Sequence, residues 1–216
     1  MDRALLLLVA AFFVLLYPML KDGLHGRPVP VLVDTAALPN MPAPAVAGAP
    51  AQLPIKAKKV SLGHDKTATL THRYVIEGAV LVTGRYSLSG HADISPLDLG
   101  IVTGPMAAPE YTRHMQATNG RRVSYLSWDK TALPDEVTGD ADWFTNNHII
   151  PSTDALRDAL LAIEEGQHVR IEGYLVDVQA PGMLGWNSSE KRDDVWCEII
   201  LVTGFSILGE ATAKEV

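Results

Sequence analysis

Cys197 is the only cysteine in a chain of 216 residues that also carries seven histidines. A lone thiol becomes a nucleophile when an imidazole and an orienting amide or carboxylate converge on it. Two of the required residue types stand side by side in Phe144-Thr145-Asn146-Asn147-His148-Ile149-Ile150-Pro151. Cys197, His148 and Asn147 are therefore the candidate catalytic residues of a thiol hydrolase or transferase. The setting of the thiol argues the other way. Trp196-Cys197-Glu198-Ile199-Ile200-Leu201-Val202 is an apolar, strand-like run, and free cysteine is among the most buried residue types. On that reading Cys197 is an inert core residue and His148 packs beneath the helix that follows it.

The other constellations are weaker. In Ser89-Gly90-His91-Ala92-Asp93-Ile94-Ser95-Pro96-Leu97-Asp98-Leu99-Gly100 a histidine and an aspartate could ligate a metal, but no H-E-x-x-H spacing is present. A loop or single helical turn is expected instead, with Ser95 as its cap, Pro96 at its first position and Asp98 near its positive end. Ser188 and Ser189 lack a G-x-S-x-G elbow, which disfavours a serine nucleophile. One cysteine permits neither an intramolecular disulfide nor a zinc site built on paired thiolates. No metal and no cofactor are expected. The candidate binding residues are Trp186 and Arg192, of the types that dominate contact surfaces, together with the neighbouring Asp193.

The elements that must position these residues are mostly strands. Thr67 to Leu88 alternates and is rich in β-branched residues, with Gly78 and Gly84 as bends, and predicts two successive strands. Val123–Trp128, Val169–Val178 and Val195–Phe205 read as further strands, and Pro109–Met115 as a short helix. The strongest helix is Thr153–Glu165, with Ser152 or Thr153 as cap, Asp154 at the positive end, an apolar stripe of Leu156, Leu160 and Ile163, and Gly166 as stop. Coiled strands with glycine bends and one packed helix predict an α+β, mostly β fold: a small OB-like or other partly open β-barrel.

Ahead of this domain lies a run without charge from Ala4 to Leu20. As a helix it measures about 25 Å, the short end of what crosses a hydrocarbon core. A cleaved signal peptide would end in small residues of A-x-A type, whereas this run ends Leu16-Tyr17-Pro18-Met19-Leu20-Lys21. Residues 1–21 are thus read as a single transmembrane anchor in preference to a signal sequence. Residues 22–54 form a Pro/Ala-rich linker suited to extended polyproline II or to plain disorder. Residues 55–216 are one domain. Arg3 against Lys21 and Arg27 does not decide orientation, but the linker favours a domain outside the cytoplasm of a bacterium, in the periplasm on the inner membrane. The net charge of −7 and pI near 5.4 speak against nucleic acid as a partner.

Several segments together carry a resemblance: Ile94-Ser95-Pro96-Leu97-Asp98-Leu99-Gly100 with Gly104-Pro105-Met106, Asn147-His148-Ile149-Ile150-Pro151, Gly173-Tyr174-Leu175-Val176, and Trp186-Asn187-Ser188-Ser189 with Arg192, Asp193, Cys197 and Glu198. Between about Thr67 and Val202 the chain resembles a family of uncharacterised bacterial envelope proteins. The resemblance implies an N-terminal apolar segment, a proline-rich stretch and one β-rich domain, and it implies no activity or cofactor. Where such proteins tend to have a glycine-rich turn before the cysteine, this chain has Asp194-Val195-Trp196. The sequence thus favours a membrane-anchored periplasmic binding module with an envelope protein as partner. The alternative is the thiol enzyme.

Overall fold

The computed structural model describes residues 41–43, 48–63, 65–88, 91–138, 143–182, 184–189 and 197–210. The apolar run 4–20, most of the linker, Arg192 and Asp193 lie outside the described residues. Among the described residues no helix is long and apolar enough to cross a membrane.

The fold is mostly β. Its strands are β1 (Ala51–Gly63), β2 (Lys66–Arg85), β3 (Leu97–Val102), β4 (Met115–Gly120), β5 (Val123–Trp128), β6 (Phe144–Pro151), β7 (Gln167–Gln179), β8 (Trp186–Asn187) and β9 (Glu198–Glu210). β1 begins at Ala51, inside the stretch read as linker, with Pro54 opposite His72 of β2. The stretch from Lys66 to Arg85 is one continuous strand, not two. Gly78 does not break it: a Cβ there would lie 2.1 Å from the Val102 carbonyl oxygen, so the residue serves close approach to β3. The segment around Asp98, expected as a loop or a single helical turn, is the paired strand β3, and His148, expected to pack beneath the helix, lies on the paired strand β6.

Strand pairing runs β2–β3–β6–β9–β7 and returns from β7 to β2, so five strands form a ring. All of these pairs are antiparallel except β6–β9. β2 and β7 exchange hydrogen bonds from Thr67↔Gln179 to Ala79↔His168. Where β7 meets β9 the register shifts between Glu172 and Gly173, and a Cβ on Gly173 would sit 2.1 Å from the Leu201 carbonyl. A side chain cannot be accommodated at that crossing.

Inward-facing positions fill the main core, with Ile76, Leu97, Leu99, Ile101, Ile149, Ile171, Leu175 and Ile200 fully buried. The helix Asp154–Leu161 adds Leu160 and is followed by Ile163 in the same core. Its start is capped as expected, Thr153 Oγ1 accepting the Leu156 N–H at 3.1 Å. Two satellite cores flank the ring. One lies under β1 and includes Leu62, Leu70, Ile94, Val176 and Ile199; the other gathers Met106, Met115, Val137 and Trp143 beside the β4–β5 hairpin.

Candidate functional site

Successive side chains of a strand point to opposite faces. On β3, Leu97 and Leu99 enter the core, so Asp98 between them faces outward. On β6, His148 likewise faces away from buried Ile149, and Asn146, two residues earlier, shares its face. The β3–β6 register sets Asp98 directly opposite His148 and Gly100 opposite Asn146. The parallel β6–β9 pairing sets Glu198 opposite Asn147. Cys197, one residue earlier, thereby arrives beside Asn146 and His148.

The result is a polar cluster sealed from water at its base. Asp98 is fully buried and His148 is 4% exposed. Asp98 Oδ1 accepts from His148 Nδ1 at 2.8 Å and from Arg122 Nη1 at 3.1 Å. Arg122 Nη2 donates to the Ser95 carbonyl at 2.9 Å, and its guanidinium lies 4.1 Å from the centre of the Tyr86 ring. Cys197 lies close enough to His148 to act on the ring; with Nδ1 engaged by Asp98, Nε2 is the ring atom left to face the sulfur. Asn146 Nδ2 donates to Cys197 Sγ at 2.9 Å. Cys197 itself is half-buried, not enclosed in the core.

Burial alone would lower the pKa of His148. The Asp98 hydrogen bond, the Cys197 hydrogen bond and the negative charges of both partners outweigh it and raise the value to about 9. At neutral pH the ring is an imidazolium with the sulfur of Cys197 beside it. His91 is moved the other way, first by burial and then by the charges of Arg122 and Lys66. The two imidazoles sit on the same indole: His91 stacks on Trp186 with centroids 4.6 Å apart, and His148 tilts against it at 4.9 Å. Burial, helped by Asp98, pushes the Tyr86 phenol up to about 12.

Of the residues singled out from the sequence, the structure brings Cys197, His148 and Trp186 together. Asn147 points to the opposite face, where its Nδ2 donates to the Leu99 carbonyl and to Thr145 Oγ1; the amide at the thiol is Asn146. Asp93 pairs with Lys66, and His91 is engaged with Trp186 in place of a metal pair with Asp93. Neither Asp98 nor Arg122 stood out in the sequence as a site residue. Asp98 sits in a run that reads as a capped turn, and Arg122 lies in a hairpin turn far from both. The only sequence signal for the amide was strand alternation, which pairs Asn146 with His148.

Compared with known proteins, the chain matches no protein-family profile, no curated protein and no solved structure.

Proposed function

We propose that the chain is a thiol-dependent acyl-transfer or hydrolytic enzyme on an OB-type barrel, with Cys197 as nucleophile, His148 as proton carrier and Asp98 as the group that orients it. The single observation behind this reading is the buried Asp98–His148 hydrogen bond, formed on the face where Asn146 bonds the sulfur of Cys197. Each member has a distinct task. Asp98 holds the imidazole by Nδ1 and stabilises its charge, as the carboxylate of a catalytic triad does. His148 faces the sulfur and carries the proton that the reaction moves. Arg122 supports Asp98 from the other side and keeps the buried carboxylate paired.

The reaction balances without a cofactor. Thiolate Sγ attacks a carbonyl carbon, the C–S bond forms, and the carbonyl π pair moves to oxygen. Collapse of the tetrahedral species breaks the bond to the leaving group, which takes the Nε2 proton of His148. Water, or a second acceptor, then attacks the acyl carbon while Nε2 takes its proton; the C–S bond breaks and the thiolate–imidazolium pair is restored. The substrate class is an ester, thioester or amide.

The test is the rate of Cys197 alkylation by iodoacetamide at pH 7 in the full-length protein. A rate at least as fast as that of free cysteine, lost in His148→Ala, supports the reading. A thiol that reacts only after unfolding removes the nucleophile and ends it.

A second reading is the non-catalytic binding module. It is favoured by the surroundings of the cluster, which lies across β3 and β6 between the β2–β3 and β7–β9 connections. In OB-type barrels the corresponding face and loops take ligand, an analogy of fold only. Leu88 is 86% exposed and Leu184 95%, and they lie within two residues of Tyr86 and Trp186 respectively. On this reading they form an apolar rim for an envelope protein, and Trp186 is the anchor. Membrane attachment by the N-terminal run and a periplasmic location belong to both readings. Retention of a crosslinked partner by Cys197→Ser, with loss of that partner in Trp186→Ala, would favour binding over catalysis.

A further inference from the structure

We infer that Asn146 is the oxyanion donor of this site and that its amide is held in the donating orientation by a one-way hydrogen-bond chain starting at Tyr86. The inference rests on the thiol reading above. Asn146 Nδ2 makes two contacts, 2.9 Å to Cys197 Sγ and 3.0 Å to the Arg122 carbonyl oxygen. A carbonyl oxygen only accepts, so the amide end facing Arg122 and Cys197 is NH2 and not oxygen. Asn146 Oδ1 then accepts from Ser124 Oγ at 2.6 Å.

The rest of the chain follows from that orientation. Ser124, having donated its one hydrogen, accepts from Asn119 Nδ2 at 3.1 Å. Asn119 Oδ1 therefore faces Tyr86, whose hydroxyl donates to it at 2.6 Å. Every donor points toward the sulfur: Tyr86 to Asn119, Asn119 to Ser124, Ser124 to Asn146, Asn146 to Cys197. Asn146 is 8% exposed and Ser124 8% exposed, so water competes little for these bonds. Arg122 closes the circuit. Its side chain joins Tyr86 to Asp98, and its backbone carbonyl sets the polarity of the amide.

When sulfur attacks a carbonyl carbon, negative charge leaves Sγ and appears on the substrate oxygen, two bonds away. A preorganised N–H beside the sulfur follows that charge at little cost of reorganisation. Asn146 Nδ2 is the side-chain donor so positioned, and the β4–β5 hairpin, which supplies Asn119, Arg122 and Ser124, is its support.

The experiment compares two reactions of Cys197 in the full-length protein. Alkylation by iodoacetamide is a displacement that builds no oxyanion, whereas acetylation by p-nitrophenyl acetate passes through one. Asn146→Ala is expected to lower the ratio of acetylation to alkylation rate constants by about 100-fold. Ser124→Ala and Tyr86→Phe are expected to lower it several-fold, and they keep the test available if Asn146→Ala fails to fold. A variant set that slows both reactions equally overturns the oxyanion role and leaves the thiol reading standing. A wild-type thiol that reacts with neither probe overturns both.

Discussion

Asp98 and His148 are direct cross-strand partners in the β3–β6 ladder, and their side chains bond on the outer face at 2.8 Å although fifty positions separate them in the chain. The bond is buried, so its strength depends on both groups being charged. With the His148 pKa raised to about 9 from an ordinary 6.5, its contribution to stability is complete below about 6.5 and is lost as pH rises through about 9. Between those values stability falls by at most about 1.4 kcal/mol per pH unit. Melting temperature against pH in wild type and Asp98→Asn checks this: the variant is expected to show a flatter alkaline limb. Identical limbs would mean that His148 does not titrate against Asp98.

Cys197→Ser is expected to be close to neutral for stability, within about 1 kcal/mol, because the half-exposed position leaves the hydroxyl able to accept the Asn146 N–H in place of sulfur. Thermal unfolding measures the change, and thiol alkylation falls to background. A loss of several kcal/mol would restore the core-residue reading of this cysteine.

Trp186 covers both imidazoles and packs against the satellite core beneath β1. Trp186→Ala is expected to destabilise the fold by about 2 kcal/mol, less than for a fully enclosed aromatic ring. It also admits water to His148, which shrinks the influences that burial and Asp98 exert on the ring and returns its pKa toward the ordinary value, so the alkaline limb of melting temperature against pH moves to lower pH. A limb unchanged in this variant would show that the indole does not shield the ion pair.

The β4–β5 turn holds Arg121 at φ 54° and Arg122 at φ 64°, a two-residue hairpin turn that asparagine and glycine normally occupy. Left-handed backbone at two arginines costs about 1 kcal/mol or more at each. Arg121 is exposed, and Arg121→Asn is expected to raise stability by up to about 1 kcal/mol with unchanged thiol reactivity. Arg122→Gly relieves the same strain but strips Asp98 of its guanidinium, so reactivity drops. Equal reactivity in both variants would remove Arg122 from the site.

The main core was legible because its strands announce themselves: Val169, Ile171 and Leu175 alternate with polar residues, and the capped helix after Ser152 has a clear stripe. The strands bearing the site did not. Leu97 to Val102 follows a proline and contains Asp98 and Gly100; Phe144 to Pro151 contains two asparagines and ends on proline. Local propensity reads the first as a turn and gives the second no strand alternation, and only their ladder partners on either side make them strands. Asn147 was singled out in place of Asn146 because adjacency in the chain was weighed where strand period should have been. Asp98 and Arg122 were invisible as partners because β3 meets the hairpin turn only after folding.

The parallel pairing of β6 with β9 has a consequence for the life history of the molecule. Cys197 lies at the head of the last strand, so as the chain emerges during synthesis Asp98, Arg122 and His148 all precede it, and the ring cannot close until that strand has docked. Closure of such distant contacts is intrinsically late in folding. A nascent chain therefore lacks this arrangement, and His148 and the sulfur of Cys197 come together only once β9 has docked beside β6.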